Sequence, residues 1–151
     1  MKAVYATGTN YDDPLSVLEV GTMPEPETKP FWSTIRVNSA SVTPMILGTD
    51  AAGVLEEDIP VRKGLKAGSE VVLYTFVGTD GAGVMPGERR SILSERYAGT
   101  MAEYTQVPSA NVFAKPANLT TAEAAALGTS WLTAYSLWFD AAGIKPGDSV
   151  L

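Results

Sequence analysis

The spacing of apolar residues changes once along this chain, at Pro116. Before that residue, apolar and polar side chains alternate with a period of two, in short stretches separated by turns rich in proline and glycine. After it, an alanine-rich stretch repeats at helical spacing. The sequence therefore predicts a mainly β fold over residues 1–115, followed by two α-helices.

The alternating stretches are predicted to be β-strands over 2–6, 15–20, 32–42, 48–56, 69–74, 100–107 and 111–114. Residues 23–30 are rich in proline, which cannot pair in a central strand, so they are predicted to form an exposed connection. The stretch 77–94, rich in glycine, proline and charge, is predicted to be a long loop, which compact domains usually keep for a function.

Two helices are predicted in the last part of the chain. Thr120 and Glu123 have the spacing of a capping box, which opens a short helix that Gly128 is predicted to end. A second helix is predicted over residues 130–142, with Gly143 as its left-handed cap. It places aromatic residues on one stripe: Trp131, Tyr135 and Trp138.

Composition and charge exclude several kinds of partner. The chain has 151 residues, of which 45% are hydrophobic and 19% are charged, as expected for one globular domain with its own core. A formal net charge of −6 argues against a nucleic-acid partner, because phosphate binding needs a basic face. There is no run of about 18 apolar residues and no secretory signal pattern. The sequence predicts a soluble, cytoplasmic protein without a membrane segment.

The chain contains no cysteine and no histidine. Disulfides and thiolate chemistry are therefore excluded, and the usual nitrogen and sulfur ligands of zinc are missing. Carboxylates suit magnesium or calcium better, but no Asp/Glu cluster has the spacing of a calcium loop. We therefore predict no metal site.

Motifs along nearly the whole chain stand in one order: 45–54 (Met-Ile-Leu-Gly-Thr-Asp-Ala-Ala-Gly-Val), 68–72 (Gly-Ser-Glu-Val-Val), 99–104 (Gly-Thr-Met-Ala-Glu-Tyr), 132–135 (Leu-Thr-Ala-Tyr) and 147–150 (Gly-Asp-Ser-Val). They resemble the medium-chain dehydrogenase/reductase superfamily, especially its quinone-oxidoreductase-like and zinc-binding-dehydrogenase-like alcohol dehydrogenase members. The resemblance implies a GroES-like β-barrel over 1–115, then connecting helices and the first strand of a truncated Rossmann domain over 116–151. It also implies NADP or NAD as the cofactor, and the choice between them stays open.

Departures from the family pattern bear on activity. Leu151 falls on what resembles the first Rossmann strand, before the glycine-rich turn that would anchor the cofactor's pyrophosphate. The passage 42–44 lacks the loop that lines the substrate pocket in the family, and residues 48–50 are Gly-Thr-Asp where zinc-dependent relatives carry Gly-His-Glu. These departures imply a zinc-free site and a chain that is inactive alone.

Asp50, Thr129 and Thr133 are the candidate site residues. By the resemblance, Thr133 and Thr129 match positions beside the nicotinamide ring, where a short hydroxyl leaves room for the ring and can make one hydrogen bond. Thr129 alternatively serves only as a helix N-cap. Asp50 is the candidate catalytic residue, orienting substrate or holding a water; alternatively it bonds a neighbouring loop where glycines let its strand bend.

Two other motifs are better explained by ordinary structural roles than by ligand binding. The glycines at 78–83 have the spacing Gly-x-x-Gly-x-Gly with no helix after them, which is wrong for a dinucleotide-binding loop and is typical of a flexible turn. Arg89 and Arg90 could clamp an oxyanion, but a solvated loop face is the alternative.

Two functions remain open. The first is an NAD(P)-dependent oxidoreductase that transfers a hydride to or from a small carbonyl, enone or quinone, with the cofactor supplying the hydride and the protein supplying position and a polar pocket. The second is a stand-alone GroES-like barrel that acts as a non-catalytic binding or assembly module. In either case the aromatic stripe, if exposed, predicts a homo-oligomer or another association through the helix face.

Overall fold

The computed structural model describes residues 1–27, 29–40, 46–60, 64–78 and 90–150. The strands are β1 Lys2–Ala6, β2 Leu18–Thr22, β3 Trp32–Ala40, β4 Ala51–Leu55, β5 Glu70–Leu73, β6 Phe76–Val77, β7 Ser91–Ile92, β8 Tyr104–Pro108 and β9 Val112–Ala114. The helical elements are two 3-10 turns (Pro14–Val17 and Ser109–Asn111), α1 (Thr121–Ala125), a π-helical turn (Leu127–Trp131), α2 (Leu132–Tyr135) and a second π-helical turn (Ser136–Ala141). The mainly β fold class is confirmed.

The largest sheet is antiparallel and has the strand order β8-β3-β4-β5-β9. β1 pairs with β2, and β6 pairs with β7, in two separate two-stranded sheets. Single bridges, from Ala3 to Ala102 and from Tyr5 to Ile46, join β1 to neighbouring segments. Within the residues described, the β region is thus an open five-stranded sheet with two flanking strand pairs, and these sheets do not close into the one continuous barrel that the resemblance implies.

Alternate residues of the central strands face two different apolar clusters. Val71 and Leu73 of β5 belong to the main core, which also contains Ile35 of β3. Val72, between them, packs with Ala52 of β4 against α1. This follows from the period of two in a strand, which sends successive side chains to opposite faces. The sheet is therefore covered on its second face by the helix that follows the β region.

The start of α1 has the capping box that the sequence predicts. The backbone N–H of Glu123 donates to the Thr120 hydroxyl at 3.3 Å, and the Thr120 N–H donates to the Glu123 carboxylate at 2.8 Å. The bonds from the backbone and side chain of Thr120 lower the pKa of Glu123. Gly143 has a φ of 63° just after the last helical turn, which confirms its predicted role as a left-handed cap.

The prediction that Gly128 ends the first helix is wrong. Gly128 has no positive φ, and the chain continues through a π-helical turn into α2. A glycine ends a helix only where the backbone turns into the left-handed region, and here it serves instead for close packing, as described below.

Other predicted boundaries also differ from the observed ones. The strand expected at 15–20 starts only at Leu18, because Pro14 opens a 3-10 turn and its fixed φ suits the first position of a helical turn. The long loop expected at 77–94 carries short paired strands at its ends, and its residues 79–89 lie outside the described residues. Ser149 and Val150 are in no strand, since a strand needs a partner to pair with.

Candidate functional site

A groove of about 330 Å³ lies between the end of the large sheet and the helical segment. Its lining residues come from the β5–β6 connection and from the π and α turns, and none of them is charged: Tyr74, Phe76, Gly128, Leu132, Thr133, Ser136, Leu137 and Ala141. We call it the Thr133 groove. It presents apolar and aromatic walls with a few hydroxyl groups, which is the usual character of a small-molecule site.

Thr133 and Ser136 supply the hydroxyl groups on the helical side of the Thr133 groove. The two residues are three positions apart, a spacing that places side chains on the same helix face. Thr133 is exposed and Ser136 is half-buried, so a bound molecule could reach both hydroxyls. Of the residues predicted from the sequence, Thr133 is therefore the one that lines this groove directly.

Asp50 lies immediately behind the Thr133 groove, against Gly128. A Cβ atom placed on Gly128 would lie 2.9 Å from Oδ1 of Asp50 and would also run into the backbone carbonyl of Leu73. Only a glycine allows the helical segment to approach β5 and the Asp50 carboxylate this closely. Gly128, predicted only as a helix terminator, is the contact point between the helical segment and the sheet.

The Asp50 side chain is only 4% exposed, and its Oδ1 atom has no hydrogen-bond partner among the described residues. The loop contact expected for Asp50 involves its backbone instead, because the hydroxyl of Thr100 donates to the Asp50 carbonyl at 2.9 Å. An unpaired buried acceptor has a free-energy cost, so such an atom in a native protein calls for an explanation by function or by a bound group.

Thr129 follows Gly128 directly and has a second unpaired polar atom. Its Oγ1 is buried and has no hydrogen-bond partner in the part of the chain that the structure describes. The alternative role of Thr129 as an N-cap is wrong, because Thr129 lies inside the π-helical turn and the residue preceding α2 is Trp131. The fold thus brings Asp50 against Gly128, the residue before Thr129, with Thr133 one turn further along the helix.

Sequence reasoning missed the aromatic wall of the Thr133 groove and the residue that holds it. Tyr74 and Phe76 have ring centroids 5.7 Å apart on the sheet side. Asn111 is fully buried, and its Nδ2 donates to the carbonyls of Tyr74 and Phe76 at 3.0 and 2.7 Å. No local signal could have identified this contact, because Asn111 and Phe76 are 35 residues apart in the sequence.

The other side of the helical segment is an exposed aromatic surface, as the sequence predicts. Trp131, Tyr135 and Trp138 are 64%, 58% and 49% exposed. Together with their apolar neighbours they line a shallow depression of about 450 Å³: Leu127, Trp131, Leu132, Ala134, Tyr135, Trp138 and Phe139. We call this surface the aromatic face.

The sequence also gave rise to predictions about a metal site, a membrane segment and two loop motifs. Among the described residues, no group of three or more Asp or Glu side chains lies close enough together to hold a metal ion. The same residues contain no helix of the length and apolarity needed to cross a bilayer. Arg89, the glycines from Gly81 to Gly83 and the passage 42–44 lie outside the described residues.

Comparison with known proteins gives consistent matches. The family model of the alcohol dehydrogenase GroES-like domain matches residues 3–117. A solved structure of an NAD-dependent alcohol dehydrogenase matches 98% of this chain and 49% of its own chain, with 31% identity and a TM-score of 0.80. The 2-methylene-furan-3-one reductase of Solanum lycopersicum is 36% identical over 111 residues, which are 74% of this chain and 25% of that protein. The synaptic vesicle membrane protein VAT-1 homolog of Rattus norvegicus is 37% identical over 93 residues, 62% of this chain and 22% of that protein.

The chain spans about half the length of the solved relative and about a quarter of the length of the curated relatives it matches. The family match begins within β1, includes β2 to β9 and reaches Ala117, in the connection to α1. Three observations indicate the same family: the order of the motifs, the open five-stranded sheet and these matches. The chain therefore belongs to the medium-chain dehydrogenase/reductase superfamily, through its alcohol dehydrogenase GroES-like domain.

Proposed function

We propose that this chain forms the substrate side of an NAD(P)-dependent oxidoreductase that acts on a small carbonyl, enone or quinone compound. The observation that carries the proposal is the Thr133 groove, which has no charged lining residue and offers hydroxyl groups at Thr133 and Ser136. A flat, uncharged molecule suits such walls, and a carbonyl oxygen can accept a hydrogen bond from either hydroxyl. Two of the relatives are named as an alcohol dehydrogenase and a furanone reductase, which supports this substrate class.

The residues around Gly128 fit a nicotinamide group in the same groove. When bound, the cofactor supplies or accepts the hydride. We propose Thr133, which is exposed and lines the groove, and Thr129, one turn before it, as the residues beside the nicotinamide ring; the Oγ1 atom of Thr129 is buried and has no partner among the described residues. We propose Asp50 as the residue that orients substrate or holds a water through Oδ1. NADP and NAD both remain candidates.

We propose that the chain has two parts and that its site contains no zinc. The GroES-like part comprises residues 1–115, and residues 116–151 connect it to a nucleotide-binding domain. Zinc in enzymes is bound mainly by histidine and cysteine, of which these 151 residues have none, and by the family resemblance Thr49 takes the position of the zinc-ligating histidine. The donor set therefore does not fit zinc, and we propose no catalytic role for this metal.

We propose the cytoplasm as the location of the protein.

The 151-residue chain is expected to bind NADPH weakly and to have little turnover by itself. Its sequence contains no Gly-x-Gly-x-x-Gly motif, the turn whose backbone N–H groups hold the pyrophosphate. Titration with NADPH, followed by coenzyme fluorescence, is therefore expected to show no saturation at micromolar concentrations. Saturable micromolar binding would contradict this expectation and would place a complete cofactor site within these residues.

The aromatic face supports a second candidate function, that of a non-catalytic binding or assembly module. Exposed apolar patches of this kind usually mark an interaction surface. We propose that it promotes association between copies of the chain, and the expected result is concentration-dependent self-association in sedimentation velocity. The double variant Trp131→Ser/Trp138→Ser should remain monomeric, whereas Tyr11→Ser, at a residue that is 93% exposed, should associate like the wild type. A wild-type chain that is monomeric at all concentrations contradicts this proposal.

A further inference from the structure

Asn111 is joined to the β5–β6 connection by three hydrogen bonds. Its Nδ2 donates to the carbonyl oxygens of Tyr74 and Phe76 at 3.0 and 2.7 Å, and its own backbone carbonyl accepts from the Tyr74 N–H at 2.8 Å. Asn111 ends the 3-10 turn before β9 and is fully buried. One residue from a distant turn therefore bonds the chain at both ends of the stretch from Tyr74 to Phe76.

The two carbonyl oxygens that accept from Asn111 Nδ2 require a side chain that can donate two hydrogen bonds. Both are backbone carbonyls, so the group between them must donate twice in one plane, which a neutral amide does. An aspartate at this position would place a second oxygen against them, and a serine hydroxyl can donate only once. The Oδ1 atom of Asn111 is buried without a partner among the described residues, so the donating end of the amide carries the contact.

The segment that Asn111 holds is the sheet-side wall of the Thr133 groove, formed by the side chains of Tyr74 and Phe76. Among the described residues, its other backbone hydrogen bonds are the two-residue pairing of β6 with β7 and a bond from the Leu93 N–H to the Thr75 carbonyl at 3.2 Å, and Val77 packs in the main apolar cluster. Short strand pairs contribute little stability alone. Loss of the Asn111 amide would therefore remove the two side-chain hydrogen bonds that hold Tyr74 and Phe76 and would loosen the wall opposite Thr133.

We propose that Asn111 is a positioning residue, whose side-chain amide holds Tyr74 and Phe76 as the aromatic wall against which a flat, uncharged carbonyl compound binds. This inference rests on the proposed function of the Thr133 groove. It assigns to Asn111 an effect on ligand affinity through the two aromatic residues, without contact between Asn111 and the ligand.

The test compares Asn111→Leu and Asn111→Ser with Val107→Ala in the full 151-residue chain. Leucine keeps the approximate shape of asparagine without a donor, and serine is a milder change whose cavity can admit water. Val107 is fully buried in β8 and does not line the groove, so its truncation is a control for lost stability alone. The probe is 2,3-dimethyl-1,4-naphthoquinone, which is uncharged and flat, and binding is followed by the amide NMR shifts of Thr133 and Ser136.

The expected result is quinone binding that is about fivefold or more weaker in both Asn111 variants and within about twofold of wild type in Val107→Ala, at a temperature where all are folded. Unchanged affinity in a folded Asn111 variant, or an equal loss in Val107→Ala, overturns the inference.

A second measurement covers the case in which the wild type does not bind the quinone, which would contradict the proposed function of the groove. Hydrogen exchange of the amides at residues 74–77, measured without ligand, should be about tenfold faster in the Asn111 variants than in Val107→Ala, because their local opening is easier. Equal exchange rates in these variants would show that Asn111 does not hold the wall. The two failures are therefore distinguishable.

Discussion

Replacing Leu73 by alanine is expected to lower the free energy of unfolding by about 2–5 kcal/mol, the range measured for leucine truncations in closely packed cores. Leu73 is 2% exposed and belongs to the main apolar cluster at the end of β5. Truncation removes buried apolar surface and leaves a cavity that the surrounding strands can fill only in part. Because a domain of this size has a total stability of about 5–15 kcal/mol, the variant should unfold at a markedly lower urea concentration.

Urea denaturation followed by tryptophan fluorescence measures the effect of Leu73→Ala, with the slope of the transition expected to stay unchanged. Leu15→Ala is the matched control, because Leu15 is 76% exposed, and its effect should stay within about 0.5 kcal/mol. A loss below about 1 kcal/mol for Leu73→Ala would mean that the end of β5 is not part of the packed core.

Replacing Gly128 by alanine is expected to destabilise the protein by about 1–3 kcal/mol, the typical cost of overpacking. In an ordinary helix the same change would stabilise by roughly 0.5–1 kcal/mol, because glycine loses more backbone entropy on folding. Here the new Cβ would meet the Leu73 carbonyl and lie 2.9 Å from Oδ1 of Asp50. The helical segment would have to move away from the sheet. The steric cost therefore outweighs the entropic gain, and the substitution lowers the free energy of unfolding.

The matched control for Gly128→Ala is Gly8→Ala. A Cβ on Gly8 has no heavy atom within 4 Å, and Gly8 has no positive φ, so alanine there should be neutral or slightly stabilising, by about 0.4–1 kcal/mol. Thermal unfolding of both variants against wild type measures the difference. If Gly128→Ala is as stable as wild type, the helical segment does not approach β5 as closely as described.

Local signals in the sequence were sufficient where a short stretch determines its own structure. The capping box at Thr120 and Glu123 and the left-handed glycine at Gly143 are decided by neighbours in the chain, and both predictions are confirmed. The prediction for Gly128 was wrong, because glycine is suited both to ending a helix and to close packing, and only the fold selects between them. The roles of Asp50, Thr129 and Thr133 toward a ligand stay predictions.

The sequence by itself determined the fold class, the family and the absence of thiol and imidazole side chains from these 151 residues. These follow from periodicity, motif order and composition, which do not depend on three-dimensional contacts. Only the tertiary structure decided which residues surround the groove and what holds its wall: Thr100 bonds Asp50 across 50 residues, and Asn111 bonds Phe76 across 35. Such contacts depend on strand pairing and on the packing of the helical segment against the sheet. They join residues that are far apart in the sequence, so local residue spacing cannot predict them.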